Sequence, residues 1–508
     1  MSCCAGRALG RVAGRLPDGA VAGGDEREMT VLLPFLVNAA LNFALGLLIA
    51  LFLGPAAFGL YAIGAALVVL VNTVALDWLK LSAVRFYTAQ ARESDPGIRA
   101  TLDLLFAAVA LTLCLLLAAA LLAGFEGGLP ASLLAASVLA AIGAGWFDYH
   151  GAIARARFLD AAYARLIFVR AVVVLVLMVG GAWLTRDPAL VLLAGLAGTV
   201  ASVLSVRRRL SDGPLSAIGA RRELARDFLR YGLPLVAGNA VYSLIPLLNR
   251  SLLAQAHGLA ESGYFSLASD IGLRLFPMLA TMLEIVLLRE VIRLDETRGR
   301  RAAHRRIAGN MVLVLAVVLP AALGFWLVLP AFEALFVPPG FRGHFARFMA
   351  PLLPGFAAIA LFQAAIYPVF LLEKRTWVAA VVAVIGLAAN LIWLFGAPGA
   401  AEPLRFAAAQ SAGFLTVLLV TASIALRALP FRPPLRDLAG LLLASGAMAL
   451  AVWPLQGRLP PLPELVLQIG LGGLVYGAVV LVCDVARWRT GLRLRWLARR
   501  ARAPRKPV

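Results

Sequence analysis

The stretch LGPAAFGLYAIGAAL, residues 53–67, joins two long apolar segments through a turn of small residues. A similar stretch, AHGLAESGYFSLASDI, occupies residues 256–271, and its Gly258 and Gly263 match Gly54 and Gly59 of the first stretch at one common offset. The residues upstream of the two stretches also resemble each other, LLPFLVNAALNFALG against GLPLVAGNAVYSLIP. Matching hairpins in the two halves of a chain predict an internal repeat, and therefore a fold of two related lobes.

The composition is that of a polytopic membrane protein. The 508 residues are 62% hydrophobic, with a mean hydropathy of +0.88, whereas soluble domains are about 45–50% apolar. An apolar helix needs about 20 residues to cross the hydrocarbon layer. We therefore predict an all-α fold of about 14 transmembrane helices, with spans near residues 30–53, 59–80, 101–124, 131–149, 166–184, 189–206, 233–256, 263–287, 308–330, 348–372, 377–396, 404–426, 437–454 and 464–485.

The basic residues indicate the side of the membrane on which each terminus lies, because cytoplasmic connections carry an excess of Lys and Arg. With the N-terminus placed in the cytoplasm, most of the 47 Lys and Arg residues fall in cytoplasmic segments. The loops on the outer side hold only Arg186, Arg342, Arg347, Arg405 and Arg458. We therefore predict cytoplasmic termini, and we interpret the formal charge of +20 as a topology signal rather than as a nucleic-acid surface.

The spans divide the chain into two lobes and several smaller parts. Six spans at residues 30–206 form the predicted N-terminal lobe, and six at residues 233–426 form the C-terminal lobe. Both lobes enter the membrane from the same side, so the axis that relates them runs along the membrane normal. Two further spans occupy residues 437–485. The predicted cytoplasmic segments are a tail at 1–29, a connector at 207–232 and a basic tail at 486–508.

Charged side chains come together in the second repeat. Arg250 lies about two helical turns before the turn at 257–262, and Asp270 about two turns after it. Helix geometry then places both at nearly equal depth, about 10–12 Å from the membrane surface. Asp270 and Arg274 form an i,i+4 pair with the acid first, which is the favourable order. We therefore expect one carboxylate to face two guanidinium groups, either as a neutralising lock between two spans or as an anion-binding site. The third possibility is that the Arg250 side chain extends to the outer membrane surface.

The sequence offers little for catalysis. The four histidines, His150, His257, His304 and His344, lie in loops or at span ends. Neither they nor the four cysteines, Cys3, Cys4, Cys114 and Cys483, have the spacing of metal ligands. The predicted loops are too short to contain a soluble catalytic domain. We therefore predict that the protein is not an enzyme and has no catalytic residues, no metal site and no cofactor.

Three segments carry a resemblance to a known family. They are residues 50–91, which include the first hairpin, residues 230–268, RYGLPLVAGNAVYSLIPLLNRSLLAQAHGLAESGYFSLA, and residues 332–393, which end in LLEKRTWVAAVVAVIGLAANLIW. In this order they resemble the polysaccharide (O-antigen type) flippases of the multidrug/oligosaccharidyl-lipid/polysaccharide exporter superfamily. The resemblance covers roughly residues 30–426.

The resemblance implies a V-shaped transporter that opens alternately to each side of the bacterial inner membrane. Its cargo would be a polyprenyl-pyrophosphate-linked oligosaccharide, such as a lipopolysaccharide precursor, moved from the inner to the outer leaflet. Other polysaccharide-assembly proteins would be its partners, besides membrane lipids, and we expect a monomer. The chain departs from the family at Asn249, where Asp often precedes the arginine. That departure leaves coupling to H⁺ or Na⁺ open.

The resemblance also gives roles to the polar residues within the spans. Arg250, Arg274 and Asn249 would bind the anionic headgroup, because a guanidinium binds phosphate through two parallel hydrogen bonds. Asp270, Glu284 and Asp77 are candidates for ion coupling or for counter-ions. Three alternatives remain from the sequence: a cation-coupled drug or metabolite antiporter on the same fold, a membrane-embedded transferase, and a purely structural or assembly membrane protein.

Overall fold

The computed structural model describes residues 24–88, 90, 95, 97–124, 128–211, 219–375, 377–396, 402–429 and 434–485, with side chains from residue 40 onward. Within these ranges the chain is helical apart from turns and short connections, and it has no strand. The prediction of an all-α fold is confirmed. The predicted tail at 486–508, and all but the last residues of the tail at 1–29, lie outside the described residues.

Fifteen α-helices follow one another in the described chain. Their bounds are α1 Gly24–Ala75, α2 Asp77–Phe86, α3 Gly97–Leu122, α4 Ala131–Ala156, α5 Asp160–Thr185, α6 Pro188–Leu210, α7 Arg222–His257, α8 Leu259–Arg298, α9 Arg300–Phe336, α10 His344–Leu361, α11 Tyr367–Leu372, α12 Trp377–Gly396, α13 Leu404–Ala428, α14 Leu435–Val452 and α15 Pro461–Val482. A π-helical turn at Phe362–Ile366 links α10 to α11. Short 3₁₀ turns lie at Pro339–Phe341 and Trp453–Leu455.

Thirteen of the described helical segments are long and apolar enough to cross a membrane. One of them, Ala40–Ala75, contains two predicted spans, because Gly54 interrupts α1 with a non-helical backbone at φ 73° and ψ 173°. Counting the two halves of α1 separately gives the predicted fourteen spans. The second predicted span reached residue 80, but α1 ends at Ala75, and Asp77 begins the separate helix α2.

The two predicted repeats have the same local structure. Gly258, between α7 and α8, has φ 92° and ψ 165°, close to the values at Gly54, and glycine adopts this positive-φ backbone without a steric penalty. The next turns of the repeats touch each other. A Cβ atom added to Gly59 would collide with the Leu259 carbonyl oxygen, and one added to Gly263 would collide with that of Pro55. Equivalent positions therefore meet reciprocally, as expected for a pseudo-two-fold axis between the lobes.

The lobes touch at both ends of the helical bundle. We call the end with Gly54 and Gly258 the turn face, and the opposite end, where α6 finishes in Arg207–Arg209 and α8 in Arg298, the basic face. At the basic face, the Ser82 hydroxyl of α2 donates to the Phe228 carbonyl oxygen of α7 at 3.1 Å. The rings of Phe86 and Tyr231 meet edge to face there. The space between the two contact regions contains the cavity described below.

The last two spans attach to a single helix of the C-terminal lobe. The Tyr476 hydroxyl of α15 donates to the Ala316 carbonyl oxygen of α9 at 2.7 Å, and the Gln456 amide donates to the Leu327 carbonyl oxygen at 2.6 Å. Buried apolar side chains of α14, such as Leu441 and Ala444, pack against Val312 of α9. The helices α14 and α15 therefore lie on the outside of the bundle, against α9.

Candidate functional site

A cavity of about 1060 Å³ lies between the lobes. Both halves of α1 line it, together with α7, α8, the π-helical turn and parts of α10 to α13. Charged residues near the turn face form one end, namely Arg250, Asp270 and Arg274, and Tyr61 lies among them. The other end extends toward the basic face and is lined by Leu235, Tyr242, Glu284, Gln363, Tyr367 and Trp377.

Arg250 connects three spans at the charged end of the cavity. Only 3% of its surface is exposed. One guanidinium nitrogen donates to a carboxylate oxygen of Asp270 on α8, and the other donates at 3.1 Å to the Ala62 carbonyl oxygen on the second half of α1. The structure thus brings Arg250 and Asp270 together at the depth that the sequence predicted. It adds a contact to the opposite lobe that the sequence did not indicate.

Arg274 does not make the ion pair expected from its i,i+4 spacing to Asp270. Its guanidinium donates instead to the Asn42 carbonyl oxygen on the first half of α1. The direction is set by Gly46, where an added Cβ would lie 3.3 Å from an Arg274 nitrogen, so the absent side chain leaves room for the guanidinium. Asp270 is paired with Arg250 instead. No carboxylate of a described side chain lies within 4 Å of the Arg274 guanidinium. The pairing expectation was therefore wrong, and one positive charge at the cavity is not neutralised by a described carboxylate.

Two other predicted site residues lie away from the cavity. Asn249 is fully buried in α7 and does not line the cavity, and its amide nitrogen and oxygen have no hydrogen-bond partner among the described residues. Asp77 lies at the start of α2 and pairs with Lys80 at 2.6 Å. Lys80 also lies 3.7 Å from Asp148, whose carboxylate accepts from the Asn72 amide at 3.3 Å. Asp77 therefore belongs to a charged network of the N-terminal lobe.

The environment of Asp77 predicts a dependence of stability on pH. Burial raises the pKa of this carboxyl above its ordinary value, while the hydrogen bond and charge of Lys80 act in the opposite direction. The ionised form is therefore disfavoured in the folded protein, so stability should increase as the pH falls through this raised pKa toward the value of the unfolded chain. We expect Asp77→Asn to have a higher Tm than the wild type at pH 7, because the variant removes the disfavoured charge while Lys80 still has Asp148 as a partner. The difference in Tm should shrink as the pH is lowered. A difference that grows on acidification would contradict this interpretation.

Sequence reasoning missed the aromatic end of the cavity. Tyr242, Tyr367 and Trp377 line it, and the hydroxyl of Tyr242 is buried without a partner among the described residues. Gln363 reaches the cavity from the π-helical turn, where the helix widens just before Pro368. Proline lacks the N–H that an α-helix needs, and π-turns are frequent at functional sites. Pro368 within an apolar span was the signal that could have indicated this distortion.

The helices long and apolar enough to span a membrane make this a multi-pass membrane protein, with a cavity between its two lobes. The structure resembles "Lipid II flippase MurJ, inward closed conformation" with a TM-score of 0.71 at 12% identity, over 90% of this chain and 99% of that chain. It also resembles an inward-facing multidrug resistance MATE family transporter of the MOP superfamily, with a TM-score of 0.52 at 14% identity, over 77% and 94% of the two chains. Likenesses at such low identity establish the fold alone.

The sequence identifies the family. The chain belongs to the polysaccharide biosynthesis protein family, whose model matches residues 31–288, just over half of its length. No curated protein sequence matches the chain. The resemblance expected from the three sequence segments is therefore confirmed at the level of family and fold.

Proposed function

We propose that the protein is a flippase that moves a polyprenyl-pyrophosphate-linked oligosaccharide from the inner to the outer leaflet of a bacterial inner membrane by alternating access. The observation that carries the proposal is a cavity of about 1060 Å³ with the Arg274 guanidinium at one end, where no carboxylate of the described chain neutralises it. A pyrophosphate is the anion that suits a planar guanidinium. The family and the MurJ-like fold support the same class of cargo.

The distribution of charge sets the direction of the proposed transport. The positive-inside rule directs the basic face, with Arg207–Arg209 and Arg298, to the cytoplasm and the turn face to the outer side. The cargo would then enter from the cytoplasmic leaflet, and its pyrophosphate would move along the cavity toward Arg274. There it would replace the Asn42 carbonyl oxygen as the acceptor of the guanidinium N–H groups, since a doubly charged anion is a stronger acceptor than a backbone carbonyl.

Arg250 would respond to the opening of the turn face. Its hydrogen bond to Ala62 joins the two lobes and must break when the lobes separate there, whereas its bond to Asp270 lies within the C-terminal lobe. The guanidinium N–H released from Ala62 would then become available to the headgroup. Asn249, next to Arg250, would reach the headgroup only after a comparable rearrangement, because it is fully buried in the described conformation.

Asp270 is the favoured site for coupling to H⁺ or Na⁺ in this scheme. It lines the cavity, its side chain is 26% exposed, and its resting partner is Arg250. If a phosphate takes Arg250 away, the carboxylate loses its counter-charge, and a small cation would take the place of the guanidinium. Asp77 is less suited to this role, because it lies outside the cavity and keeps Lys80 as a partner.

The test is leaflet exchange in proteoliposomes that contain a fluorescent polyprenyl-pyrophosphate oligosaccharide. We expect exchange by the wild type and a loss of about 10- to 100-fold in Arg274→Gln, which corresponds to one charge-assisted hydrogen bond of about 1.5–3 kcal/mol. Arg289→Gln is the matched control, because Arg289 lies on the same helix but is exposed and does not line the cavity. Exchange no faster than in protein-free liposomes would refute the proposed function.

A cation-coupled antiporter is the second candidate, and the likeness to a MATE family transporter supports it. The argument against it is local to the turn-face end of the cavity, where the Arg274 guanidinium has no described carboxylate within 4 Å and repels cationic cargo. The two candidates separate in the same proteoliposomes. Uptake of a lipophilic cation driven by an ion gradient, without leaflet exchange of the lipid-linked glycan, would favour the antiporter.

A further inference from the structure

We propose that the half of the cavity nearer the basic face is a glycan-binding subsite that selects neutral and amino sugars and rejects acidic ones, with Glu284 as the discriminating residue. This inference rests on the proposed flippase function and names the class of glycan that the cargo carries. It comes from the separation of charge within the cavity, from the chemistry of the cavity wall and from the position of one carboxylate without a partner.

The cavity carries opposite charges at its two ends. The guanidinium groups of Arg250 and Arg274 lie near the turn face, whereas the Glu284 carboxylate lies farther along α8. Ten residues separate Arg274 from Glu284 on this helix, which corresponds to about 15 Å along its axis. A ligand with a pyrophosphate at Arg274 would therefore present its sugar residues, rather than its phosphates, to Glu284.

Glu284 is a cavity carboxylate without a counter-charge. Its side chain is partly exposed and lines the cavity, and it makes no hydrogen bond or ion pair with another described residue. Asp270 is the other acidic residue of the described cavity wall, and it is paired with Arg250. A half-buried carboxylate without a partner is costly in an apolar span. A ligand that supplies hydrogen-bond donors or a positive charge would relieve that cost.

The wall around Glu284 has the chemistry of a sugar site. Tyr242, Tyr367 and Trp377 offer aromatic faces for the C–H surfaces of pyranose rings, and Trp377 as a whole residue is 64% exposed. The Gln363 amide, whose nitrogen donates to the Thr281 hydroxyl at 3.4 Å, offers a polar group for sugar hydroxyls. Aromatic surface combined with a few polar groups is typical of sites that orient a small polar ligand.

Electrostatics then determines which sugars fit. A uronic acid or another acidic sugar would bring a second carboxylate against Glu284, so the two like charges would repel each other. A neutral sugar donates its hydroxyl or N-acetyl N–H groups to the carboxylate. An amino sugar adds an ammonium group, which the Glu284 carboxylate attracts. The expected order of preference is amino sugar, then N-acetylated sugar, then acidic sugar.

The experiment uses three polyprenyl-pyrophosphate disaccharides that differ only in the terminal sugar, which is glucosamine, N-acetylglucosamine or glucuronic acid. Leaflet exchange by the wild-type protein in proteoliposomes should be at least about tenfold faster for the amino sugar than for the acid, or about 1.4 kcal/mol. Glu284→Gln should reduce this ratio to near one, because exchange of the amino-sugar lipid slows and exchange of the acidic lipid quickens. Glu290→Gln is the matched control, because Glu290 lies on the same helix, pairs with Arg293 at 2.9 Å and does not line the cavity.

Three results would overturn the subsite. They are equal wild-type rates for the three lipids, an unchanged ratio in Glu284→Gln, and an equal slowing of all three lipids by that variant, which would make Glu284 an ion-coupling residue instead. Binding of the three lipids to the purified protein, measured by native mass spectrometry, separates this inference from the function. Binding in the expected order without leaflet exchange would support the subsite and refute the flippase, and binding in another order would refute the subsite.

Discussion

Arg250→Ala should lower leaflet exchange of the lipid-linked oligosaccharide by about 10- to 100-fold and should also destabilise the protein. The transport loss follows from the loss of charge-assisted hydrogen bonds to the headgroup, each of about 1.5–3 kcal/mol. The stability loss follows from Asp270, which keeps its charge but loses its partner. Breaking a buried pair from one side costs about 3–5 kcal/mol, and the 26% exposure of the Asp270 side chain places the expected loss near the lower value.

A double variant separates these two effects. Arg250→Ala with Asp270→Ala removes both charges, so no uncompensated carboxylate remains and most of the lost stability should return. Transport should stay low, because the headgroup still lacks its guanidinium. Thermal unfolding in detergent measures the first quantity, and leaflet exchange measures the second. If the double variant transports at the wild-type rate, Arg250 is only a lock between spans, which was the alternative left open by the sequence.

Arg405 provides the matched control for this experiment. It is also a buried arginine of the C-terminal lobe, with 9% of its surface exposed, and it donates to the Trp393 carbonyl oxygen at 3.2 and 3.1 Å. It does not line the cavity. Arg405→Ala should therefore cost stability without a specific loss of transport. Equal transport losses at Arg250 and Arg405 would indicate that destabilisation alone causes both.

Particular residues explain why the fold could be predicted so fully from the sequence. Span number depends on the length of apolar runs, and the repeat depends on glycines that no other residue replaces easily. Gly54 and Gly258 have a positive φ, which favours glycine over other residues. A glycine therefore appears at the same position of both repeats, and the sequence alone reveals the match. The end of the second span was misplaced because Asp77 and Trp78 continue a helical pattern, and composition does not reveal that α1 stops and α2 starts anew.

The site could be predicted only where the geometry is local. Arg250 and Asp270 lie on consecutive helices around one short turn, so counting residues sufficed to bring them together. Arg274 failed the same reasoning, because its direction depends on space beside Gly46, which is distant in sequence. The contact between Arg250 and Ala62 and the aromatic wall near Glu284 combine residues from both halves of the chain. No single stretch of sequence carries those arrangements.

The second large effect is expected from Gly59→Val and Gly263→Val, which should force the lobes apart at the turn face. Both glycines are helical, and a Cβ atom at either one collides with backbone of the other lobe rather than with a flexible side chain. Overpacking of this kind costs about 1–3 kcal/mol, so the closed turn face should lose population by about 5- to 150-fold. Spin labels at the equivalent residues Ala56 and Ala260 would report this as a shift toward longer distances.

The reciprocity of the contact makes a sharper prediction than either variant alone. Because the two glycines face each other, separating the lobes for one added side chain also makes room for the second, so the double variant should be little worse than each single variant. Gly180→Val is the matched control, since nothing lies within 4 Å of a Cβ atom added there. Leaflet exchange should fall in all three glycine variants of the turn face, because transport requires that face to close in each cycle. An unchanged distance distribution, or additive losses in the double variant, would contradict a shared contact at the axis between the lobes.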